Sequence, residues 1–267
     1  MHIILTVKQV PDPGAPQSSF TVDRAAKKVV VASSVPAAVS DMDLYAAEAA
    51  LRIKDAVAGS TISVLSLGRG HVLDVVKRPL AMGADKLYLV QDPDLAEGDA
   101  LATAQALAAA IKKIGPFDLI FAGRQSADLD QGIVTSGIAA ILGIPCLTNA
   151  VRVEHRDGWI QIDRIVDEGV DTVEAHLPAL VTVSNELGEP RYATMRGIMQ
   201  ARRVEPTVWA KKDMAVEDSL VGRAGSLTET ADLFQPEKVS HVEFIEGENL
   251  ADAGRKLAQR LRAERLI

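Results

Sequence analysis

The first half of the chain alternates short apolar runs with helical segments, and this rhythm limits the possible folds. The apolar runs predict four strands, at Ile3–Val7, Thr61–Leu67, Lys86–Val90 and Asp118–Ala122. Amphipathic or alanine-rich segments between them predict three helices, at Asp43–Val57, Val72–Met82 and Asp99–Ile114. Pro79 is expected to kink or shorten the second helix. The alternation predicts an α/β fold, a parallel sheet with helices on both faces.

The second half of the chain changes to a pattern in which apolar and polar residues alternate. Three such runs predict a β meander, at Ala150–Glu154, Trp159–Val166 and Val170–His176. Gly158 and Gly169 are expected at its turns, and Leu180–Val183 predicts a return to a buried strand. Earlier in the chain, Phe20–Val31 predicts a small hairpin that interrupts the helical rhythm.

Hydrophobic density falls beyond about Pro206, which indicates a division of the chain. We expect one α/β domain at residues 1–205 and a C-terminal arm at residues 206–267. The arm contains a predicted flexible connection at residues 224–226 and an amphipathic helix from Leu250 to about Arg265. Too few apolar residues remain for a second core, so an extended arm that packs on a partner is the favoured interpretation.

Composition excludes several classes of function. The 267 residues are 48% hydrophobic and 24% charged, which is typical of a globular protein. The net charge of −7 provides no basic surface for nucleic acid or an anionic membrane. The single cysteine, Cys146, favours a reducing compartment, so the cytoplasm is expected. The five histidines are scattered, which predicts no metal site, and the opening apolar run is too short to span a membrane.

Three segments follow predicted strands at the edge where parallel sheets bind ligands. They are residues 8–12, residues 66–68 and residues 123–137. The chain has neither the glycine-rich dinucleotide fingerprint nor a P-loop, so any bound nucleotide needs another phosphate-binding segment. The third segment is the most informative because it begins with Gly123 and leads into a predicted helix.

We expect that helix to run from about Gln131 to Leu142, with Asp130 as its N-cap. The free N–H groups of its first turn and its dipole suit a phosphate, and Thr135 and Ser136 add hydroxyl donors. Gly132 leaves room for close approach. A capped helix without a ligand is an equally open interpretation of these residues.

A second polar cluster precedes the first long helix. It consists of Ser40, Asp41, Met42 and Asp43. As structure, it is an N-cap with acidic residues placed favourably at the positive end of the helix dipole. As function, it could line an adenine or ribose pocket beside the first strand, and the sequence leaves both interpretations open.

Over nearly its whole length the chain resembles the β subunits of electron transfer flavoproteins. The matching segments are VKQVPD at residues 7–12, AMGAD at residues 81–85, the loop at residues 123–137, and the signature stretch IDRIVDEGVDTV at residues 162–173, followed by PALVT at residues 178–182. Asp171 stands where the family normally has Glu or Gln. The resemblance implies a Rossmann-like adenine-nucleotide-binding fold for residues 1–205 and a helix in the arm that packs on the partner subunit.

The resemblance also implies a cofactor site and a partner site. The implied nucleotide contacts are Thr6, Ser40, Asp41, Met42, Asp43, Leu67, Gln125, Asp128, Gln131, Gly132, Ile133, Val134, Thr135 and Ser136. This subunit would hold AMP or a second FAD, while the α subunit mainly holds the redox-active FAD. Tyr192 and Met195 would bind the partner dehydrogenase, with Met195 replacing the family's usual leucine as an apolar anchor.

Three hypotheses for the function remain, two implied by the resemblance and one of a different class. The first is the β subunit of a heterodimeric electron carrier, not itself an enzyme, that accepts electrons from dehydrogenases such as acyl-CoA dehydrogenases. The second is a bifurcating subunit that binds a second FAD and uses NADH as part of a complex. The third is a non-redox nucleotide-binding sensor on the same scaffold, which the meander and the apolar tail helix disfavour.

Overall fold

The computed structural model describes residues 1–236 and 242–267. Residues 237–241 of the expected arm, including one of the scattered histidines, His241, lie outside the described residues. The described strands are β1 His2–Thr6, β2 Gln9–Pro11, β3 Phe20–Asp23, β4 Lys28–Val31, β5 Ala37–Val39, β6 Thr61–Leu67, β7 Lys86–Val90, β8 Leu119–Gly123, β9 Cys146–Arg156, β10 Trp159–Val166, β11 Gly169–His176, β12 Ala179–Val183 and β13 Thr207–Trp209. The described helices are α1 Asp41–Ala56, α2 Leu73–Val76, α3 Arg78–Met82, α4 Ala100–Ile114, α5 Ile133–Leu142, α6 Met195–Arg203 and α7 Leu250–Ala263.

A nine-stranded sheet forms the centre of the molecule, in the order β11-β10-β9-β12-β8-β1-β6-β7-β13. All pairs from β9 to β13 along this order are parallel, whereas β10 is antiparallel to both β9 and β11. The predicted Rossmann-like α/β fold with a β meander excursion is therefore confirmed. Parallel pairing brings the carboxyl ends of the central strands to one edge of the sheet.

Helices cover both faces of this sheet because adjacent residues of each buried strand point to opposite sides. In β1, Ile3 and Leu5 pack into the hydrophobic cluster that includes α1 and α3, whereas Ile4 packs into the cluster with α4 and α5. Alanines on α1 and α4, among them Ala46 and Ala104, let these helices lie close to the sheet.

Several local predictions are confirmed. The predicted helix Val72–Met82 is divided into α2 and α3, with Lys77 between them and Pro79 in the first turn of α3. Proline is tolerated there because the N–H of that position has no intrahelical acceptor. The β3–β4 hairpin and the β9–β11 meander form as predicted, and Gly158 and Gly169 turn the meander with positive φ angles.

The predicted flexible connection at residues 224–226 is wrong in its local geometry. A Cβ on Gly225 would overlap the main chain of Leu220, so the turn is tightly packed. Ser226 accepts a hydrogen bond from the Asp99 N–H at 2.9 Å, and the Asp99 carboxylate accepts N–H bonds from Leu227 and Thr228. The beginning of the C-terminal segment is thus fastened to the start of α4.

The segment after residue 205 contributes to the sheet and its core before it leaves them. Strand β13 pairs with β7, and Met214 and Val221 are buried in the cluster with α4 and α5. Helix α7 buries none of its residues, and Leu250 is 93% exposed. Within the two described ranges, no helix is both long enough and apolar enough to cross a membrane.

Candidate functional site

The predicted nucleotide residues converge at the carboxyl edge of the sheet. Thr6 and Leu67 are the last residues of β1 and β6, and the loop that contains Gln125 and Asp128 follows β8. Helix α1 begins beside this edge, immediately after Ser40. The structure therefore brings together segments that are far apart in sequence, and hydrogen bonds connect them.

Asp43 joins three of these segments through one buried carboxyl group. Its Oδ2 accepts the Lys8 N–H at 2.7 Å and its Oδ1 accepts the Gly123 N–H at 3.1 Å. Burial raises the pKa of Asp43 to about 7, although both N–H donors and the Lys8 charge act in the opposite direction. The side chain thus fastens α1 to the ends of β1 and β8. Asp43 thus has a structural role, and the expected contact between Asp43 and a nucleotide stays a prediction.

Gly123 is the last residue of β8 and lies against the first turn of α1. A Cβ at this position would lie 2.7 Å from Asp43 Oδ1 and 2.7 Å from Met42 Cβ, so any side chain would force the segments apart. Met42 therefore packs behind the strand end. Asp41, its neighbour in the first turn of α1, is exposed.

Further bonds hold the loop after β8. Ser40, which is fully buried, accepts the Ala127 N–H through Oγ at 3.1 Å and does not cap α1 with that oxygen. Lys8 Nζ forms an ion pair with Asp128 at 2.7 Å. Burial alone would raise the pKa of Asp128, but hydrogen bonds, foremost the one from Lys8, hold it below its usual value. The charge of Asp128 is thus balanced within the loop.

The prediction that Asp130 is the N-cap of the following helix is wrong. The cap position belongs to Gly132, which has a left-handed φ of 64°, and α5 begins at Ile133 instead of Gln131. Asp130 itself has a φ of 51° and accepts a hydrogen bond from Gln125 Nε2 at 3.0 Å. Glycine at the cap provides no side-chain acceptor, so the N–H groups of the first turn, including those of Ile133 and Val134, are left for another acceptor.

Two buried polar atoms beside this turn have no protein partner among the described residues. They are Thr135 Oγ1 and Arg124 Nε. A buried donor without an acceptor is costly, and such groups commonly bind a ligand or water. Together with the bare amides after Gly132, a hydroxyl and a guanidinium form a donor set that suits a phosphate. The residues present therefore fit the phosphate of an adenylate.

A polar pocket of about 330 Å³ opens next to these atoms. It is lined by Arg124, Gln125, Gly132, Ser136, Thr148, Asn149 and Thr182. Sequence reasoning missed Arg124 and the residues of β9 and β12. Asn149 adopts a φ of 61° and donates its N–H to Thr182 Oγ1 at 3.0 Å, so this wall is fixed. The sequence offered one signal for these residues: Arg124 is adjacent to Gln125, a predicted site residue. No comparable signal pointed to the residues of β9 and β12.

The expected partner residues lie on a separate part of the surface. Tyr192 is 91% exposed and Met195, the first residue of α6, is 76% exposed. Thr194 caps α6 by accepting the Gly197 N–H at 3.0 Å. Both large apolar side chains are thus presented to solvent by an ordered segment, which is the arrangement expected of a contact site.

Comparison with known proteins identifies the family. The profile described as "Electron transfer flavoprotein domain" matches residues 27–214. The electron transfer flavoprotein subunit beta of Megasphaera elsdenii is 36% identical over 275 aligned residues, which cover 100% of both chains. The chain belongs to the electron transfer flavoprotein β-subunit family.

Two further relatives of this chain have different names. The caffeyl-CoA reductase-Etf complex subunit CarD of Acetobacterium woodii is 32% identical, with 100% of both chains covered. Protein FixA of Azorhizobium caulinodans is 35% identical over 92% of this chain and 90% of its own. The Megasphaera elsdenii relative is described as an electron transfer flavoprotein subunit, and the family is flavoprotein-associated and implies an α subunit as partner.

Proposed function

We propose that this chain is the β subunit of a cytoplasmic, heterodimeric electron transfer flavoprotein that binds an adenine nucleotide at the start of α5. It also docks dehydrogenases, such as acyl-CoA dehydrogenases, so that electrons pass through FAD. One observation carries the nucleotide assignment: the uncapped amides after Gly132 lie beside the Thr135 hydroxyl, which has no partner in residues 1–236 or 242–267.

The residues would divide the work of holding the nucleotide, AMP or a second FAD. Main-chain N–H groups of residues 133–135 and the hydroxyls of Thr135 and Ser136 would bind phosphate oxygens. Arg124 would add positive charge, since its Nε has no acceptor among the described residues. Asp128 would not repel the phosphate strongly because Lys8 balances its charge. The FAD held mainly by the α subunit supplies the redox chemistry when bound.

The proposal is tested most directly by Thr135→Val, which removes only the unpartnered hydroxyl. Without nucleotide, the variant should be as stable as the wild type or more stable, because a buried unsatisfied group is lost. With nucleotide, AMP affinity should fall about tenfold, since a hydrogen bond to a charged group contributes roughly 1.5 kcal/mol or more. Isothermal titration of the nucleotide-stripped heterodimer measures this affinity.

Thr182→Val is the matched control, because the Thr182 hydroxyl already accepts the Asn149 N–H. This variant should lose stability even without nucleotide. Unchanged AMP affinity in Thr135→Val would contradict the phosphate assignment. A shared loss of stability in both variants would show that the Thr135 hydroxyl has a protein partner.

A bifurcating subunit is the second candidate, and the full-length similarity to CarD favours it. Under that alternative this subunit would hold a second FAD in place of AMP and would use NADH within a complex. Extraction of nucleotides from the purified heterodimer distinguishes the two. One FAD with one AMP supports the simple carrier, two FAD support bifurcation, and a colourless protein without flavin would contradict both.

A further inference from the structure

A short segment at the start of α6 exposes three large apolar side chains. We call residues 192–199 the docking segment. Tyr192, Met195 and Met199 are 91%, 76% and 50% exposed. Met195 and Met199 are four residues apart in α6, so they lie on one face of the helix. Three large side chains exposed so closely together are a typical feature of a protein contact.

A buried carboxylate holds the residue just before this segment. Glu48 on α1 has a side chain only 7% exposed. It accepts hydrogen bonds from Arg191 Nε at 2.8 Å, from Arg191 Nη2 at 3.2 Å and from the Arg191 N–H at 3.1 Å. Arg52 adds a bond at 2.9 Å, and Asp55 pairs with the free edge of the Arg191 guanidinium at 2.9 Å. Side chain and main chain of Arg191 are therefore both fixed.

The same carboxylate remains charged in its buried position. Burial acts to raise the pKa of Glu48, but hydrogen bonds from Arg191 and Arg52 outweigh it and lower the pKa below the usual value. Removal of one partner from a buried ion pair leaves the other charge uncompensated, which destabilises the local structure. The position of Arg191 thus depends on Glu48.

The other end of the docking segment is fixed by close packing. A Cβ on Gly197 would overlap the carbonyl oxygen of Ala81, so α6 touches α3 at backbone distance. Thr194 caps the first turn of α6 through the Gly197 N–H. Tyr192 and Met195 therefore lie between two fixed points, one at Arg191 and one at Gly197, and Met199 follows Gly197 in the same helix.

The charge of α6 differs from that of the whole chain. The helix contains Arg196, Arg202 and Arg203 and no acidic residue, whereas the chain has a net charge of −7. All three arginines are exposed, and none forms an ion pair with residues 1–236 or 242–267. A positive rim around an apolar centre is complementary to an apolar pocket surrounded by carboxylates.

We propose that Glu48 is a positioning residue that holds the docking segment ready for one kind of occupant, an electron-donating dehydrogenase whose apolar pocket is rimmed by acidic side chains. This proposal rests on the proposed carrier function. Because Arg191 and Gly197 fix the segment beforehand, binding needs little ordering of the chain. Loss of the Glu48 contact should therefore weaken docking and leave electron transfer within the docked complex unchanged.

The test uses the heterodimer with FAD and, as donor probe, a short-chain acyl-CoA dehydrogenase reduced by butyryl-CoA. Glu48→Gln should raise the KM for the donor about tenfold. This is the size expected when a segment that is held in place in the wild type must instead be ordered on binding. The kcat and the flavin content should be unchanged. Hydrogen exchange of the amides of residues 192–199 should become faster in the variant.

Two variants separate positioning from general destabilisation. Asp85→Asn is the matched control, because Asp85 also accepts a main-chain N–H, from Ile62 at 2.7 Å, and pairs with Lys54 on α1. It should lower stability without changing the donor KM. Arg191→Lys retains the charge but loses the planar fork, so its donor KM should lie between those of the wild type and Glu48→Gln.

The charge of the proposed occupant is tested by Arg196→Glu combined with Arg203→Glu. This variant should lower kcat/KM for the donor about tenfold at low ionic strength and much less at high ionic strength, because salt screens exposed charges. A kcat/KM equal to wild type at every salt concentration would rule out an acidic rim on the partner.

The results separate this proposal from the carrier function. Flavin content and reversible reduction by dithionite report the carrier function without any donor. If both are normal and Glu48→Gln leaves donor KM and hydrogen exchange unchanged, the positioning role is refuted while the carrier function stands. If the wild-type heterodimer is flavin-loaded but the reduced donor does not transfer electrons to it, the proposed occupant is wrong.

Discussion

Asp43 is the residue whose protonation makes the stability of the carboxyl edge of the sheet, the proposed nucleotide site, depend on pH. Its pKa in the folded chain is about 7, above the value of 3.8 that applies when it is unfolded. The folded state therefore binds this proton more tightly, and the associated stability is complete below about pH 4 and is lost as the pH rises through about 7. The difference corresponds to about 4 kcal/mol.

Asp43→Asn should remove this pH dependence. Between about pH 4 and pH 7 the free energy of unfolding should fall with rising pH in the wild type and should be flatter in the variant, as measured by urea titration. Asp128→Asn is the control from the same edge. Because the pKa of Asp128 is lowered, its own contribution is lost only as the pH falls below about 4, so its removal should change the slope in that interval only slightly, through the small part that its charge plays in raising the pKa of Asp43. Parallel curves for the wild type and Asp43→Asn would refute the role of Asp43.

Gly132 and Gly143 offer a matched pair at the two ends of α5. Both are left-handed, with φ of 64° and 68°, so alanine at either position should cost about 1 kcal/mol of stability. A Cβ on Gly132 would lie 3.2 Å from the Arg124 carbonyl oxygen beside the proposed phosphate site, whereas nothing lies within 4 Å of one on Gly143. Nucleotide content should fall in Gly132→Ala alone. Equal content in the two variants would argue against the site.

At the scale of elements, the contact between α6 and α3 depends on Gly197. Gly197→Ala should displace α6 from the Ala81 carbonyl and cost about 1–3 kcal/mol, the usual range for overpacking. Gly254→Ala on α7 is the control, since nothing lies near its Cβ, and it should gain about 0.5–1 kcal/mol from helix propensity. Thermal unfolding of both variants measures the difference. Opposite signs are expected, and equal gains would show that α6 is not in close contact.

The element pattern was largely predictable because hydrophobic period and turn residues are local signals. The strand Thr61–Leu67, the division near Pro79 and the meander turns at Gly158 and Gly169 all follow from neighbours in sequence. The start of α5 was not predictable in this way. The left-handed backbone at Gly132 displaced the cap from Asp130, and residue type alone did not distinguish a capping aspartate from one that bonds within a loop.

The site was only partly predictable because its decisive contacts are long-range. Asp43 meets Gly123 across 80 positions and Ser40 meets Ala127 across 87 positions. A local pattern identifies both residues as cap candidates at the start of α1, yet both side chains bind elsewhere. The far wall of the pocket, with Asn149 and Thr182, comes from strands whose neighbours are set by sheet order.

At the scale of the whole molecule, the packing predicts a division of the arm near Ser226, because Met214, Val221 and β13 pack on the body whereas α7 buries no residue. Truncation after Ser226 should leave the sheet folded and abolish pairing with the α subunit, because exposed apolar residues such as Leu250 are removed. Truncation after Glu205 should also destabilise the body, since it deletes β13 and the buried Met214, whose loss alone costs about 2–5 kcal/mol. Circular dichroism and co-purification with the α subunit measure both outcomes. A fully stable chain truncated after Glu205 would place the boundary earlier than the packing indicates.

The residues that hold the loop after β8 leave the ribosome in an order set by their positions in the chain. Lys8, Ser40 and Asp43 all precede the loop in the chain, so its anchors have already emerged from the ribosome when the loop appears. The opposite wall, with Asn149 and Thr182, emerges later. We therefore predict that most of the anchors of the proposed phosphate site emerge before the opposite wall of the pocket, so that the site is still open on that side while the chain is being made.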